Sequence, residues 1–219
     1  MLLPQPRAIL FDLDGTLVDT APDLAGAINR LRIERGLPPS PYESLRPVAS
    51  AGARGLIGAA FGLQPGDKDY EELRISFLDH YAASLAVESR LFEGVQELLD
   101  SLLAYTVVWG IVTNKASRFT EPLMQQIGLR GAVCVISGDT THYSKPHPEP
   151  LLEATRRLDL APQECWYVGD DLRDIEAGRA AGMTTLAAAW GYCGHTEPTA
   201  WGADAVVETP LDILGLVEG

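Results

Sequence analysis

The stretch Ala8-Ile9-Leu10-Phe11-Asp12-Leu13-Asp14-Gly15-Thr16 sets two aspartates two positions apart at the end of an apolar run. The run has the composition of a buried strand, and Gly15 is the turn that ends it. Residues i and i+2 of an extended strand point to one side. The spacing therefore predicts two carboxylates crowded together where folding alone has no use for them. Like charges at that range are unfavourable unless a cation or a shared proton relieves them. The simplest chemistry is a divalent-metal site. Three more polar clusters follow apolar runs. Thr113-Asn114 closes the run 107–112, Lys145-Pro146-His147-Pro148 follows the run 132–136, and Gly169-Asp170-Asp171 closes the run 165–168, with Asp174 one helical turn on. Carboxylates alone suit Mg²⁺. A lysine and a hydroxyl beside them suit a phosphoryl group.

Those clusters meet only if the apolar runs are neighbouring parallel strands. From Phe92 onward, strand-like runs alternate with helical patterns. Helices are predicted over Val95–Leu103, from Thr113 to Gln126, over Pro148–Leu158 and over Leu172–Ala181, followed by a final helix. Further strands are predicted at Thr184–Ala188 and Ala205–Val207. Such alternation implies an α/β fold with a doubly wound, Rossmann-like parallel sheet. Its ligand is expected at the carboxyl ends of the strands. Between the first strand and this pattern lies a stretch with no convincing strand. Thr20-Ala21-Pro22-Asp23 reads as a capping box opening a helix that carries Leu24, Ile28 and Leu31 to Gly36, and Glu71 to Val87 reads as one longer helix. The expected organisation is a core of residues 1–16 and 90–219 with an inserted all-helical cap, residues 17–89.

Bulk properties narrow the partners. The 219 residues carry a net charge of −13, with 46% hydrophobic and 21% charged residues. Nucleic acid and anionic membranes select basic faces, so neither is expected. An anionic small substrate is compatible, because one metal and one lysine reverse the local field. No apolar run approaches the roughly 18 residues that span a membrane, and Met1 to Arg7 does not read as a signal peptide. Cys134, Cys165 and Cys193 form no close pair and read as buried thiols, consistent with a cytoplasmic setting. His80, His142, His147 and His195 lack zinc-ligand spacing, and Trp190 and Trp201 read as packing residues. No feature of the sequence sets an oligomeric state.

Taken in order, Asp12-Leu13-Asp14-Gly15-Thr16, Thr113, Lys145 with its proline, and Gly169-Asp170-Asp171 resemble the four motifs of the haloacid dehalogenase superfamily of phosphotransferases, over essentially the whole chain. The resemblance implies that Asp12 attacks phosphorus and forms an aspartyl-phosphate. Asp14 would protonate the leaving oxygen and then deprotonate the hydrolytic water. Mg²⁺ would be held by Asp12, the backbone carbonyl of Asp14, and Asp170. Thr113 and the Asn114 backbone would hold phosphoryl oxygens, and Lys145 would neutralise charge on Asp12 and the phosphate. Asp171 and Asp174 would orient metal-bound waters, although Asp171 also reads as the N-cap of the next helix. Superfamily dehalogenases and phosphonate-cleaving relatives lack an acid at the second aspartate. Asp14 therefore implies an oxygen leaving group, a phosphomonoester.

Substrate choice is expected to lie in the helical insertion. There Ala49-Ser50-Ala51-Gly52-Ala53-Arg54-Gly55 forms a small-residue turn, and Arg54 is expected to pair with a substrate carboxylate. In detail the chain is similar to the phosphoglycolate phosphatase group on Phe11 to Pro22, Val112-Thr113-Asn114-Lys115 and Gly169 to Gly182. On the Ser50–Arg54 turn and Gly169 to Glu176 it is similar to N-acetylmuramic acid 6-phosphate phosphatases. Both substrates carry a carboxylate and a phosphomonoester. A phosphosugar mutase would share the core motifs, with a cap that keeps water out. A phospho-accepting signalling receiver would share the aspartates and lysine, but receivers are shorter and lack such a cap.

Overall fold

A computed structural model describes residues 3–219; Met1 and Leu2, part of the segment weighed above as a leader, lie outside the described residues. Six parallel strands form one sheet in the order β5-β4-β1-β6-β7-β8. They are β1 (Ala8–Phe11), β4 (Val108–Val112), β5 (Val135–Ile136), β6 (Cys165–Gly169), β7 (Thr184–Ala188) and β8 (Ala205–Val207). β1 lies between β4 and β6, with Phe11 opposite Ile111 on one side and Val168 on the other. Every residue of β1 and β6 is buried, which is why both read as continuous apolar runs without alternation. From β1 the chain builds outward to β4 and β5, then returns to place β6, β7 and β8 on the other side. The crevice at such a reversal, beyond the carboxyl ends, is where open α/β sheets hold ligands.

Helices α5 (Val95–Leu102), α6 (Ser117–Ile127), α7 (Glu149–Leu158), α8 (Leu172–Ala181) and α9 (Asp212–Glu218) connect and flank the sheet. α6 starts later than expected, because Thr113 to Ala116 form a loop and Asp139 takes the first helical N–H and hydroxyl, those of Ser117. β5 is shorter than the expected 132–136, being an edge strand in which only Val135 and Ile136 are in register with β4.

The inserted helices are α1 (Ala21–Glu34), α2 (Tyr42–Leu45), α3 (Gly52–Phe61) and α4 (Tyr70–Ala83), with a 3₁₀ turn at Arg46–Ala51. Leu24, Ile28 and Leu31 of α1 and Leu73, Phe77 and Tyr81 of α4 are buried in one apolar cluster, and α1 packs along α4. α4 ends at Ala83, four residues short of the expected Val87. The reason is tertiary: the N–H groups of Glu88 and Ser89 and the Ser89 hydroxyl all donate to the buried Asp23 carboxylate of α1, at 2.6–3.1 Å. The chain must leave the helix to reach it.

Two crossings join this lobe to the sheet. They pair as a two-stranded antiparallel ribbon, β2 (Val18–Asp19) with β3 (Arg90–Leu91). The expected boundaries at 16/17 and 89/90 fall beside this ribbon. Thr20 occupies the N-cap position of α1 without a side-chain cap bond; its hydroxyl donates to Asp14 Oδ1 at 2.6 Å instead. The expected capping box is absent because Thr20 N–H donates to the Tyr192 hydroxyl and the Asp23 carboxylate accepts from Glu88 and Ser89 instead.

Asp23 satisfies three donors from the second crossing and is itself buried. Asp23→Ala leaves them unpaired, and is expected to lower unfolding free energy by about 2–4 kcal/mol in a denaturant titration. A change below about 0.5 kcal/mol, the size of an ordinary surface substitution, would show that this clasp does not hold the crossings together.

Candidate active site

The carboxyl ends of β1, β4 and β6 and the loop bearing Lys145 converge. Lys145 is almost fully buried, and its Nζ lies 2.8 Å from Asp12 Oδ1 and 2.7 Å from Asp174 Oδ1. It also donates to the Val112 carbonyl at 3.0 Å and the Tyr167 hydroxyl at 2.7 Å, while that hydroxyl donates to Val112 O at 2.8 Å. Asn114 fixes the lysine's backbone, donating to Lys145 O and accepting from Lys145 N, both at 2.9 Å. Burial alone would lower the lysine's pKa, but Asp12 and Asp174 overcome it and hold the ammonium charged.

Asp12, Asp170 and Asp174 form a buried trio with one carboxylate oxygen from each within 4.8 Å of the others. Burial pushes the Asp170 carboxyl well above its usual range, and the charges of Asp12 and Asp174 push it further. Burial raises Asp174 as well, against the pull of Lys145. Two of the three carboxylates pair with one ammonium and the third with no cation, so the pocket gathers hard oxygen donors in excess of positive charge. That donor set fits a divalent cation that prefers oxygen. Asp170 is further held by the Thr16 hydroxyl on Oδ1 at 2.9 Å, and by the Ser50 hydroxyl and Tyr192 N–H on Oδ2 at 2.9 and 3.0 Å. Gly15 is required here: its φ is +90°, and a Cβ would stand 2.2 Å from Asp170 Oδ2.

The crowding expected between Asp12 and Asp14 takes another form. β1 ends at Phe11, the chain turns through Leu13 to Gly15, and the Asp14 carboxylate meets its own cation. Lys115 Nζ lies 3.0 and 3.1 Å from its two oxygens. Lys115 also sits 4.6 Å from the centre of the Tyr81 ring. Burial would lower its pKa, but Asp14 more than reverses this.

Asp12, Asp14, Thr113, Asn114, Lys145, Asp171 and Asp174 all line one cavity of about 420 Å³ between the sheet ends and the helical lobe. Thr113 accepts from Lys115 N at 3.1 Å, leaving its hydroxyl proton free to donate. Asp171 caps α8, accepting from Arg173 N at 2.9 Å, and pairs with the Arg173 guanidinium at 2.7 Å. Asp170 lies behind the cavity wall. Arg54 does not line this cavity: it is exposed on α3 and lines a neighbouring one with Gln64 and His195, which shares Ala51, Asp171 and Arg173 with the first. The helix turns it away because Leu56, Ile57 and Ala60 occupy the inward face.

Several residues of the site carried no assigned role in the sequence reading. Lys115 stands beside Thr113-Asn114, and its position was the available signal. Tyr167 lies in a fully buried strand, where a phenol needs a hydrogen-bond partner. Ser50, Arg173 and Tyr192 are reached only through tertiary contact.

This fold and acidic site define a class. The chain belongs to the haloacid dehalogenase-like hydrolase family, whose model matches residues 9–188. Among individual proteins, it is 46% identical over 215 residues to an N-acetylmuramic acid 6-phosphate phosphatase of Pseudomonas putida, covering 97% of this chain and 96% of that one. It is 47% identical over 208 residues to a phosphoglycolate phosphatase of Xanthomonas campestris pv. campestris, covering 94% and 93%. A crystal structure from Haemophilus somnus, described as a "predicted phosphoglycolate phosphatase", superposes with a TM-score of 0.85 at 27% identity, covering 97% and 98%.

If the trio holds a cation, Mg²⁺ at a hundred times its Kd should raise unfolding free energy by about 2.7 kcal/mol. The gain is expected to vanish in Asp170→Asn. Equal thermal shifts with and without Asp170 would place the cation elsewhere.

Proposed function

We propose that the protein is a Mg²⁺-dependent phosphomonoester phosphatase working through an aspartyl-phosphate on Asp12. The observation that carries the reading is the separation of the two aspartates onto two lysines in one cavity: Asp12 on Lys145, Asp14 on Lys115. One carboxylate is a member of the metal-type trio, where a nucleophile belongs. The other stands apart from it, where an acid and base for the leaving group belongs.

In this mechanism Asp12 keeps Oδ1 against Lys145 and attacks phosphorus with the oxygen that faces the cavity. The bond from phosphorus to the alcohol oxygen breaks, and Asp14 gives that oxygen its proton. Asp14 then takes a proton from the water that attacks the aspartyl-phosphate, which releases phosphate, frees Asp12 as a carboxylate and returns Asp14 to the acid form in which it started. Thr113 Oγ and the Asn114 backbone hold phosphoryl oxygens, and Lys145 offsets the charge that develops between them and Asp12. Asp12, Asp170 and the Asp14 carbonyl would hold Mg²⁺, whose charge would let an anionic carboxylate approach an anionic phosphoryl group. Asp171 and Asp174 orient the surroundings of that cation. The helical lobe closes the cavity over the substrate.

Two relatives suggest two substrates, 2-phosphoglycolate and N-acetylmuramic acid 6-phosphate. The cavity favours the second. Its volume of about 420 Å³ falls in the range of ordinary small-molecule sites. It would hold on the order of a dozen waters at about 30 Å³ each, far more than a two-carbon ester fills. Leu24, Phe77, Leu78 and Tyr81 give it an apolar wall suited to the carbon skeleton of a sugar. Three free cysteines and the lack, among the described residues, of any helix able to cross a membrane support a cytoplasmic enzyme.

Asp12→Asn is expected to reduce phosphate release by about a thousandfold or more, the scale of losing a nucleophile. The wild-type kcat/KM should be higher on N-acetylmuramic acid 6-phosphate than on 2-phosphoglycolate. Undiminished turnover by Asp12→Asn would end the mechanism, and the reverse substrate order would end the sugar assignment.

A further inference from the structure

The cavity is lined by five cationic side chains, and four of them already have a carboxylate. Lys115 is held by Asp14, Lys145 by Asp12 and Asp174, Arg173 by Asp171, and Arg74 by Glu71 at 2.8 Å. Arg118 is the exception: among the described residues it forms no ion pair and no side-chain hydrogen bond. It sits in the first turn of α6, the helix that follows the Thr113-Asn114 loop.

Its guanidinium is nevertheless positioned. It lies 4.5 Å from the centre of the Phe119 ring, a cation–π distance. Phe119 packs against Tyr81 with ring centres 5.5 Å apart, and Tyr81 stacks with Phe77 at 6.4 Å. The arginine therefore rests on an aromatic platform that spans α6 and the lobe helix α4. A cation held this way loses less rotamer freedom on pairing than a free surface arginine does. Its planar fork suits a carboxylate.

We propose that Arg118 is the specificity residue that receives the carboxylate of the substrate. The proposal rests on the phosphatase reading above and deepens it by assigning the second anionic group of the ester. A substrate of this type brings a phosphoryl group and a carboxylate, and the paired cations at Asp12 and Asp14 serve the first. Arg118, exposed at its rim and facing only the more distant charge of Asp139, is the cavity's one lining cation without a carboxylate in ion-pair contact. Arg54 does not line this cavity.

The test compares esters that differ only in the carboxylate. N-acetylmuramic acid 6-phosphate and N-acetylglucosamine 6-phosphate differ by one lactyl ether; 2-phosphoglycolate and ethyl phosphate form a smaller pair. Steady-state kcat and KM are measured with Mg²⁺ for the wild type, Arg118→Ala, Arg118→Lys and Arg74→Ala. Arg118→Ala should lose about tenfold or more in kcat/KM on the carboxylated member of each pair it turns over, mostly through KM, the scale of one charged hydrogen bond. It should stay within about twofold on the uncarboxylated member. Arg118→Lys should recover part of the loss. Arg74→Ala, whose charge is already paired, should change both members little. Equal losses on both members, no loss on either, or an Arg74→Ala effect as selective as that of Arg118→Ala would overturn the assignment. A wild-type protein that hydrolyses none of the four esters is a different failure: it removes the phosphatase reading itself, and is seen before any variant is made.

Discussion

One ammonium group holds the carboxyl end of the sheet together. Lys145 Nζ is surrounded by acceptors from β1, β4, β6 and α8, namely Asp12, Val112 O, Tyr167 and Asp174. An ammonium has three protons to share among them, and Tyr167 donates its own proton to Val112 O. Four acceptors from four segments thus meet at a single cation, while Asp12 Oδ1 lies 2.8 Å from it without an aligned hydrogen bond. Removing that charge would leave three carboxylates in a water-poor pocket, a state that costs several kcal/mol per unpaired ion. The carboxyl ends of three strands are drawn to one point by electrostatics as much as by packing.

The same constraint explains why two aspartates separated by a single leucine have different surroundings. β1 stops at Phe11 because the next residues must turn. Asp12 still donates its N–H to Val168 O, whereas Asp14 and Val18 already form a bridge toward the lobe. Asp12 is left facing the sheet's acidic trio. Asp14 is carried to Lys115 and Thr20. A strand two residues longer would have put both on one side and made them compete for one cation.

The legibility of the molecule in its sequence follows the range of the interactions. β1, β6, β7, β8 and α8 were readable because apolar runs, glycine turns and caps are local signals; Leu172–Ala181 and Thr184–Ala188 match to the residue. The positions of Asp12, Thr113, Lys145 and Asp170 were readable because a parallel sheet leaves few places for polar residues that directly follow apolar runs. The β2–β3 ribbon was not, since two-residue strands separated by the whole lobe have no periodicity. Nor was the end of α4, which is set by Asp23 rather than by any breaker. Thr20 misled for a related reason: its cap pattern is genuine, but distant Tyr192 takes the Thr20 N–H and the second crossing takes the Asp23 carboxylate.

Tyr192 shows how the lobe and the acidic trio are made one structure. Its hydroxyl accepts from Thr20 N and Ala21 N at 2.7 and 2.9 Å and donates to Asp19 at 3.0 Å, so it fixes the first crossing into the lobe. Its backbone N–H donates to Asp170 Oδ2. The same oxygen accepts from Ser50, whose carbonyl in turn accepts from Arg173 at 2.9 Å. Arg46 adds a hydrogen bond to Gly191 O at 3.2 Å and lies 5.0 Å from the Tyr192 ring. The lobe is therefore seated on the same carboxylate that completes the trio, through one crossing and one turn. Two packed units connected only by chain would be free to move independently. Sharing a buried charged acceptor gives them a common energetic interest in where Asp170 points, because each bond to that charge is worth roughly twice a neutral one. The cavity between them inherits its shape from that shared atom.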